Sequence, residues 1–203
     1  MKTKYTSSSS EVTHRLRKFS GVVEHFIFLI GPGGVGKTTT GPHLAALLSV
    51  PFVDLDDYFC TNVLNIRAFI SKYGYEEYVR QNSRCFREIA SNSKDEAVVT
   101  LSSGFLIIEE AAEVVTANRE MVRRLGRTVL LIPSHDQEIA ADEVARRQVE
   151  RGFGLREENE RRKFVERLPV YQKLAQYVEI SNGDPAEIAC RIAQQLRGKM
   201  DMT

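Results

Sequence analysis

The segment Gly31-Pro32-Gly33-Gly34-Val35-Gly36-Lys37-Thr38 restricts this chain to few folds. It reads as a complete phosphate-binding loop. Backbone N–H groups hold phosphate in such a loop, so side chains must not block the approach, and Gly31, Gly33, Gly34 and Gly36 meet that need. Before it, Phe26-Ile27-Phe28-Leu29-Ile30 is a short, continuously apolar run, the pattern of a parallel strand buried on both faces. After it, a helix is expected from about Gly36 to Leu48, with Leu44, Leu47 and Leu48 toward the core and a bend or loosened turn at Pro42. The N-terminus of that helix adds partial positive charge to the loop. In this setting Lys37 reaches the β and γ phosphates of ATP and the Thr38 hydroxyl ligates Mg²⁺. Val35 and Thr39 complete the expected nucleotide-binding set.

The rest of the chain alternates strand and helix. Strands are expected at 51–56, 97–101, 127–132 and 177–180. Helices are expected at about 63–90, broken near Gly74, and at 116–125 and 136–149. Further helices are expected at 157–168, stopped near Pro169, at 171–176 and at 185–196. This alternation predicts a three-layer α/β/α sandwich around a five-stranded parallel sheet, a single domain from residue 24 to 203. Residues 1 to about 23, polar and serine-rich at the start, read as a flexible arm, and Arg15, Arg17 and Lys18 as a solvated cluster within it.

Composition narrows the partners. Lys plus Arg is 28 against 27 for Asp plus Glu, so no net charge draws the chain to nucleic acid or anionic membrane. No apolar run is long enough to span a bilayer, and residues 1–10 lack a secretory signal's apolar stretch. Cys60, Cys85 and Cys190 are dispersed, with neither a zinc spacing nor a disulfide framework. A monomer in the reducing cytoplasm is the expectation.

Two carboxylates stand out next. Asp54 and Asp56 are expected at the carboxyl end of the second strand, the edge at which open α/β sheets bind ligands. Asp54 is placed to hold Mg²⁺ through water. Asp56 is placed to take a proton or hydrogen bond from an acceptor hydroxyl.

With Gly36-Lys37-Thr38-Thr39-Thr40-Gly41, Leu44 to Leu48 and Phe52-Val53-Asp54-Leu55-Asp56 in order, the chain resembles the shikimate kinase family of P-loop kinases. The resemblance continues through 119–131, through Arg167-Leu168-Pro169-Val170-Tyr171 and through Asn182-Gly183-Asp184-Pro185, covering roughly 25–197. It implies phosphoryl transfer from ATP to a hydroxyl of shikimate, giving shikimate 3-phosphate. It also implies that Asp54 serves Mg²⁺, that Asp56 polarises the hydroxyl, and that Pro185 lies in a loop against adenine. Arg167 would grip the acceptor carboxylate, to which a guanidinium offers a planar two-point contact. The family's arginine-rich lid corresponds to 146–156, where Arg147 and Arg151 are the candidates for charge on the transferring group and Gly152 and Gly154 for hinges.

The pattern departs in two places. The family's three glycines after strand three are Ser102-Ser103-Gly104 here, and the two added side chains narrow the space beside the acceptor. The family's second carboxylate-binding arginine corresponds to Arg80, one position late, a turn of about 100° on a helix. The expected acceptor site is therefore Asp56, Arg80, Ser103, Gly104 and Arg167, and the acceptor a small hydroxy acid. The alternatives are a kinase of this fold acting on another acceptor, such as a sugar acid, and a non-catalytic nucleotide-binding regulatory module.

Overall fold

Strand β1 (Phe26–Ile30) lies at the centre of a five-stranded parallel sheet of order β2-β3-β1-β4-β5. Its partners are β3 (Ala97–Thr100), with Leu29 opposite Thr100, and β4 (Gly126–Ile132), with Ile30 opposite Leu130. Strands β2 (Phe52–Asp54) and β5 (Tyr177–Ile180) form the edges. This computed structural model describes residues 25–93, 95–152 and 154–198, so the expected arm at 1–23 lies outside the described residues.

Eight helices are described, and with the sheet they make the expected three-layer sandwich. Helix α1 (Lys37–Leu48) packs against β1 and β3 and against the C-terminal α8 (Pro185–Gly198). In α4 (Tyr75–Asn92), Phe86 sets its ring 5.8 Å from that of Phe28 on β1. Helix α5 (Ala112–Leu125) packs against α4 and β4, and α6 (Gln137–Glu150) pairs with α7 (Glu157–Leu174). Strand order fixes where a ligand can sit. After β1 the chain turns to the β3 side, and after β3 it crosses to β4, so the loops leaving these neighbours diverge and open a crevice at their carboxyl ends.

Several sequence expectations are corrected. The second strand ends at Asp54, and Asp56 lies in the first turn of a helix, α2 (Leu55–Asn62), that was not foreseen. Asp54 caps that helix, accepting from the N–H groups of Asp56 at 2.9 Å and Asp57 at 3.2 Å. The long helix expected beyond it is α3 (Ile66–Tyr73) followed by α4, separated at Gly74, whose φ of 86° is open to glycine. Pro169 does not stop α7. Phe164 and Leu168 before it and Tyr171 after it are all buried, and that packing carries the helix through the lost backbone bond. Leu47 is exposed, not in the core. The buried face of α1 runs through Thr40, Gly41, Leu44 and Ala45, and Leu47 is turned about 100° away from the centre of that stripe.

Candidate active site

The glycine loop joins β1 to α1. Gly36 caps the helix in the left-handed conformation, φ 91°, with no side chain engaging the first turn. The first amides of α1 are thus free of side-chain acceptors and available to an anion. Lys37 folds back over the loop, its ammonium donating to the carbonyls of Gly31 at 2.7 Å and Pro32 at 2.9 Å. Burial pushes this ammonium down to about 8, against the opposing pull of Asp56 and Asp54.

Asp54 draws three elements together. Its Oδ2 accepts from the hydroxyl of Thr38 at 2.8 Å and from that of Thr100, at the end of β3, at 2.7 Å, while Oδ1 caps α2. Thr38 and Asp54 thereby present hard oxygen donors beside the glycine loop, the donor chemistry that Mg²⁺ accepts from proteins, usually one or two groups with water and phosphate completing the shell.

A cavity of about 360 Å³ spans this region. It gathers Gly33, Gly34, Gly36, Lys37, Thr38, Thr39, Asp54 and Asp56 with Arg147 and Arg151 from the far side. With Ser103, which also lines it, eleven of the residues singled out in the sequence therefore meet in one place. The end of α6 forms the cover. Arg147 donates to Glu143 at 2.7 Å and to the carbonyl of Gly34 at 3.3 Å, and Arg151 donates to Gln148 at 3.0 Å. Gln148 itself lies over Gly33. Three expected nucleotide residues lie elsewhere. Val35 is buried in the hydrophobic core, so its side chain faces away from a nucleotide; Gly31 packs under it; and Pro185, at the start of α8, does not line the cavity.

A second cavity, of about 220 Å³, adjoins the first. Asp56, Ser102, Ser103 and Gly104 form its polar end, and Tyr75, Tyr78, Ile66, Ile70 and Phe105 much of its wall. Asp56 and Ser103 line both cavities. The Asp56 carboxylate is held above the usual range by burial, offset in part by a hydrogen bond from Ser102 at 2.5 Å. The loop after β3 is anchored from several sides. The Tyr171 hydroxyl donates to the Ser103 carbonyl, Arg119 to the Leu106 carbonyl at 2.6 Å, and Asn118 to the Phe105 carbonyl at 3.3 Å. At Gly104 a Cβ would come within 2.9 Å of the Tyr75 hydroxyl and 2.7 Å of Ile108, which explains glycine at this third position.

The two arginines expected at the acceptor are placed differently. Arg167, half-buried on α7, acts electrostatically on Tyr75 and Tyr171, makes no ion pair among the described residues and is itself not among the residues lining the acceptor cavity. Arg80 pairs with Glu76 at 2.6 Å and Glu113 at 2.8 Å and lies outside the residues lining the acceptor cavity. Its shift by one position along α4 points it at these acids, and its charge is matched there. Sequence reasoning missed Thr100, Asn82 and Gln148. Thr100 carries a usable signal, as the last residue of a strand beside the glycine loop. Asn82 carries none, because it acts through a partner distant in the chain, and Gln148 carries none toward the glycine loop, because the Gly33 it covers is distant in the chain.

Comparisons with known proteins give the family. A sequence model of the shikimate kinase family matches residues 33–197. Shikimate kinase 2 of Dickeya chrysanthemi is 29% identical over 176 residues, covering 84% of this chain and 95% of that protein. The structure of shikimate kinase from Acinetobacter baumannii in complex with shikimate superposes with a TM-score of 0.70 at 26% identity, covering 86% of this chain and 93% of that one. The enzyme from Bacteroides thetaiotaomicron gives 0.67 at 25% identity, covering 85% and 98%. Glycine loop, carboxylate pair and covering arginines thus occur in a chain that belongs to the shikimate kinase family, ATP-dependent phosphotransferases with an alcohol as acceptor.

Proposed function

We propose that this chain transfers the γ-phosphoryl group of ATP to a hydroxyl of shikimate, giving shikimate 3-phosphate. The observation that carries this reading is the position of Asp56, which lines both the phosphate cavity and the acceptor cavity. A carboxylate at that junction can accept a hydrogen bond from the attacking hydroxyl while the phosphoryl group stands on the other side. Its raised proton affinity suits it to take up the hydroxyl proton as the oxygen bonds to phosphorus.

The other residues have distinct parts. Lys37 supplies positive charge to the β and γ phosphates, exchanging the carbonyls of Gly31 and Pro32 for phosphate oxygens. Arg151, close enough to Lys37 to act on its charge, stabilises the equatorial oxygens of the group in transfer. Arg147 fastens the cover to the loop at Gly34. Thr38 and Asp54 would hold Mg²⁺, which neutralises phosphate charge when bound. Arg167, with no ion pair among the described residues, is available to the substrate carboxylate. Residues 146–156 act as the lid. The reading is of a monomer at work in the cytoplasm, where ATP is abundant. Among the described residues no helix is long and apolar enough to cross a membrane.

The test is direct. Purified protein with Mg·ATP and shikimate should release ADP and yield a shikimate phosphate ester detectable by ³¹P NMR. No ester with shikimate, but turnover with a sugar acid or another hydroxy acid, would reassign the acceptor. No transfer to any of them would reduce the chain to a nucleotide-binding module.

A further inference from the structure

Asp56 is held by more than its helix. The Ser102 hydroxyl, in the loop after β3, donates to Asp56 Oδ1 at 2.5 Å. Ser102 in turn accepts from the side-chain amide of Asn82 on α4 at 2.9 Å. These three side chains come from α2, the β3 loop and α4, and each lines the acceptor cavity. Asn82 and Ser102 are buried, with 2% and 7% of their surface exposed.

The direction of the chain of hydrogen bonds is fixed by donor count. A serine hydroxyl has one proton. Because the NH₂ of Asn82 points at Ser102 Oγ, that oxygen must accept there, and its single proton is left for Asp56. The Oδ1 of Asn82 is buried with no hydrogen-bond partner among the described residues, and its Nδ2 faces both the Ser102 and the Tyr78 hydroxyl oxygens; the reversed amide would place Oδ1 against those hydroxyls and leave the NH₂ without an acceptor. The reversed amide would also draw the serine proton away from Asp56.

Resting on the reading of Asp56 as the group that polarises the acceptor hydroxyl, we propose that Ser102 and Asn82 are positioning residues that aim the Asp56 carboxylate. Ser102 occupies Oδ1 and leaves Oδ2 for the acceptor. The backbone of Asp56 is fixed separately by the cap from Asp54, so Ser102 settles the remaining side-chain torsions. Near-attack geometry is sensitive at this level, a displacement of about 1 Å being worth up to ~100-fold in rate. On this account the serine that replaces the first glycine of the family pattern is an aiming device, and its hydroxyl is turned onto Asp56, not loose in the acceptor space.

Kinetics and crystallography test this together. With Mg·ATP and shikimate, Ser102→Ala and Ser102→Gly should each lower kcat by about 10- to 100-fold. The KM values for ATP and shikimate should stay within about twofold, because the Ser102 hydroxyl is engaged by Asp56 and Asn82. Ser102→Thr, which keeps the hydroxyl, should recover most of the loss. Asn82→Leu removes the amide and its orphaned oxygen in a similar volume, so it should stay folded by thermal melting and lower kcat several-fold. Crystal structures of wild type and Ser102→Ala read the contact without substrate: one Asp56 orientation on Ser102 in wild type, and a rotated or split carboxylate in the variant. Wild-type kcat in Ser102→Ala or Ser102→Gly, a threonine variant as slow as the alanine one, or an unmoved Asp56 in the variant crystal overturns the proposal. A wild type inert toward shikimate overturns the acceptor assignment instead, and the crystal pair then decides the positioning role alone.

Discussion

The hydroxyl of Thr38 donates to Oδ2 of Asp54 at 2.8 Å, tying the first turn of α1 to the end of β2. Asp54 thus has two duties, one toward the phosphate loop and one as the cap of α2, and substitution can separate them. Asp54→Asn keeps an oxygen for the cap and lets the Thr38 and Thr100 hydroxyls turn to its amide. It should melt close to wild type and lose about 100-fold in kcat, since a neutral amide serves poorly beside a metal-bound phosphate. Asp54→Ala removes the cap as well, a loss of ~0.5–2 kcal/mol, and leaves two hydroxyls without their acceptor. It should therefore melt several degrees lower in addition to being inactive. Equal melting temperatures for the two variants would show that the cap contributes nothing.

A pH experiment isolates Lys37. Burial holds its ammonium at about 8, below the value of 10.5 for a free lysine. The unfolded chain therefore keeps this proton more tightly than the folded one, so the contribution of Lys37 to stability rises between about pH 8 and 10.5 and is least favourable below 8. Bound triphosphate favours the charged form, so its binding should draw a proton onto Lys37. Calorimetry of ATP binding near pH 8, in two buffers of different ionisation heat, should show uptake of about half a proton. Affinity should weaken as pH climbs from 7 to 9. Lys37→Ala should abolish the uptake and phosphoryl transfer while the domain stays folded; identical uptake in this variant would assign the proton to another group.

Arg167 offers a sharper separation of the two substrates. Its half-buried guanidinium acts on Tyr171 and on Tyr75, and Tyr75 lines the acceptor cavity. Arg167→Ala should raise the acceptor KM by an amount corresponding to ~2–5 kcal/mol, the range for a desolvated charge pair that loses one partner, and leave the ATP KM nearly unchanged. Arg80→Ala should have little effect on either KM, because Arg80 is matched by Glu76 and Glu113. Equal changes in both KM values for Arg167→Ala would place this arginine in the lid or in the framework of α7.

The sequence discloses this site unevenly, for physical reasons. The apolar run of β1, the glycine loop and the acids at the carboxyl end of the second strand follow from local pattern, and the structure brings Lys37, Thr38, Asp54 and Asp56 together, whereas the strand order came only with the structure. Local pattern failed where one residue serves two elements. Asp54 ends a strand and caps a helix, so Asp56 after it reads as strand when it lies in the first turn of α2. It failed again at Pro169, where buried neighbours on both sides outweigh one missing hydrogen bond. Asn82 was out of reach altogether. Its partner Ser102 is 20 residues away, and no periodicity relates a helix interior to the exit of a strand.

The contact between lid and loop at Gly33 gives the last prediction. A Cβ built on Gly33 would stand 2.4 Å from Nε2 of Gln148, near the end of α6, and no backbone atom is among its three nearest neighbours. Gly33→Ala therefore meets the far end of one flexible side chain. The fold should absorb it, with melting unchanged within a degree or two. Gln148 must move, however, and it is also the acceptor for Arg151 at 3.0 Å. Displacing it shifts the arginine assigned to the transferring group, so kcat should fall by about tenfold with a smaller rise in the ATP KM. Shortening the obstructed side chain distinguishes this cause from a blocked phosphate. In the double variant Gly33→Ala with Gln148→Ala, the alanine methyl at 33 has room, so the two substitutions should be strongly non-additive, with the pair no slower than Gln148→Ala alone. Strictly additive losses would mean that the methyl obstructs the nucleotide and that Gln148 is a bystander.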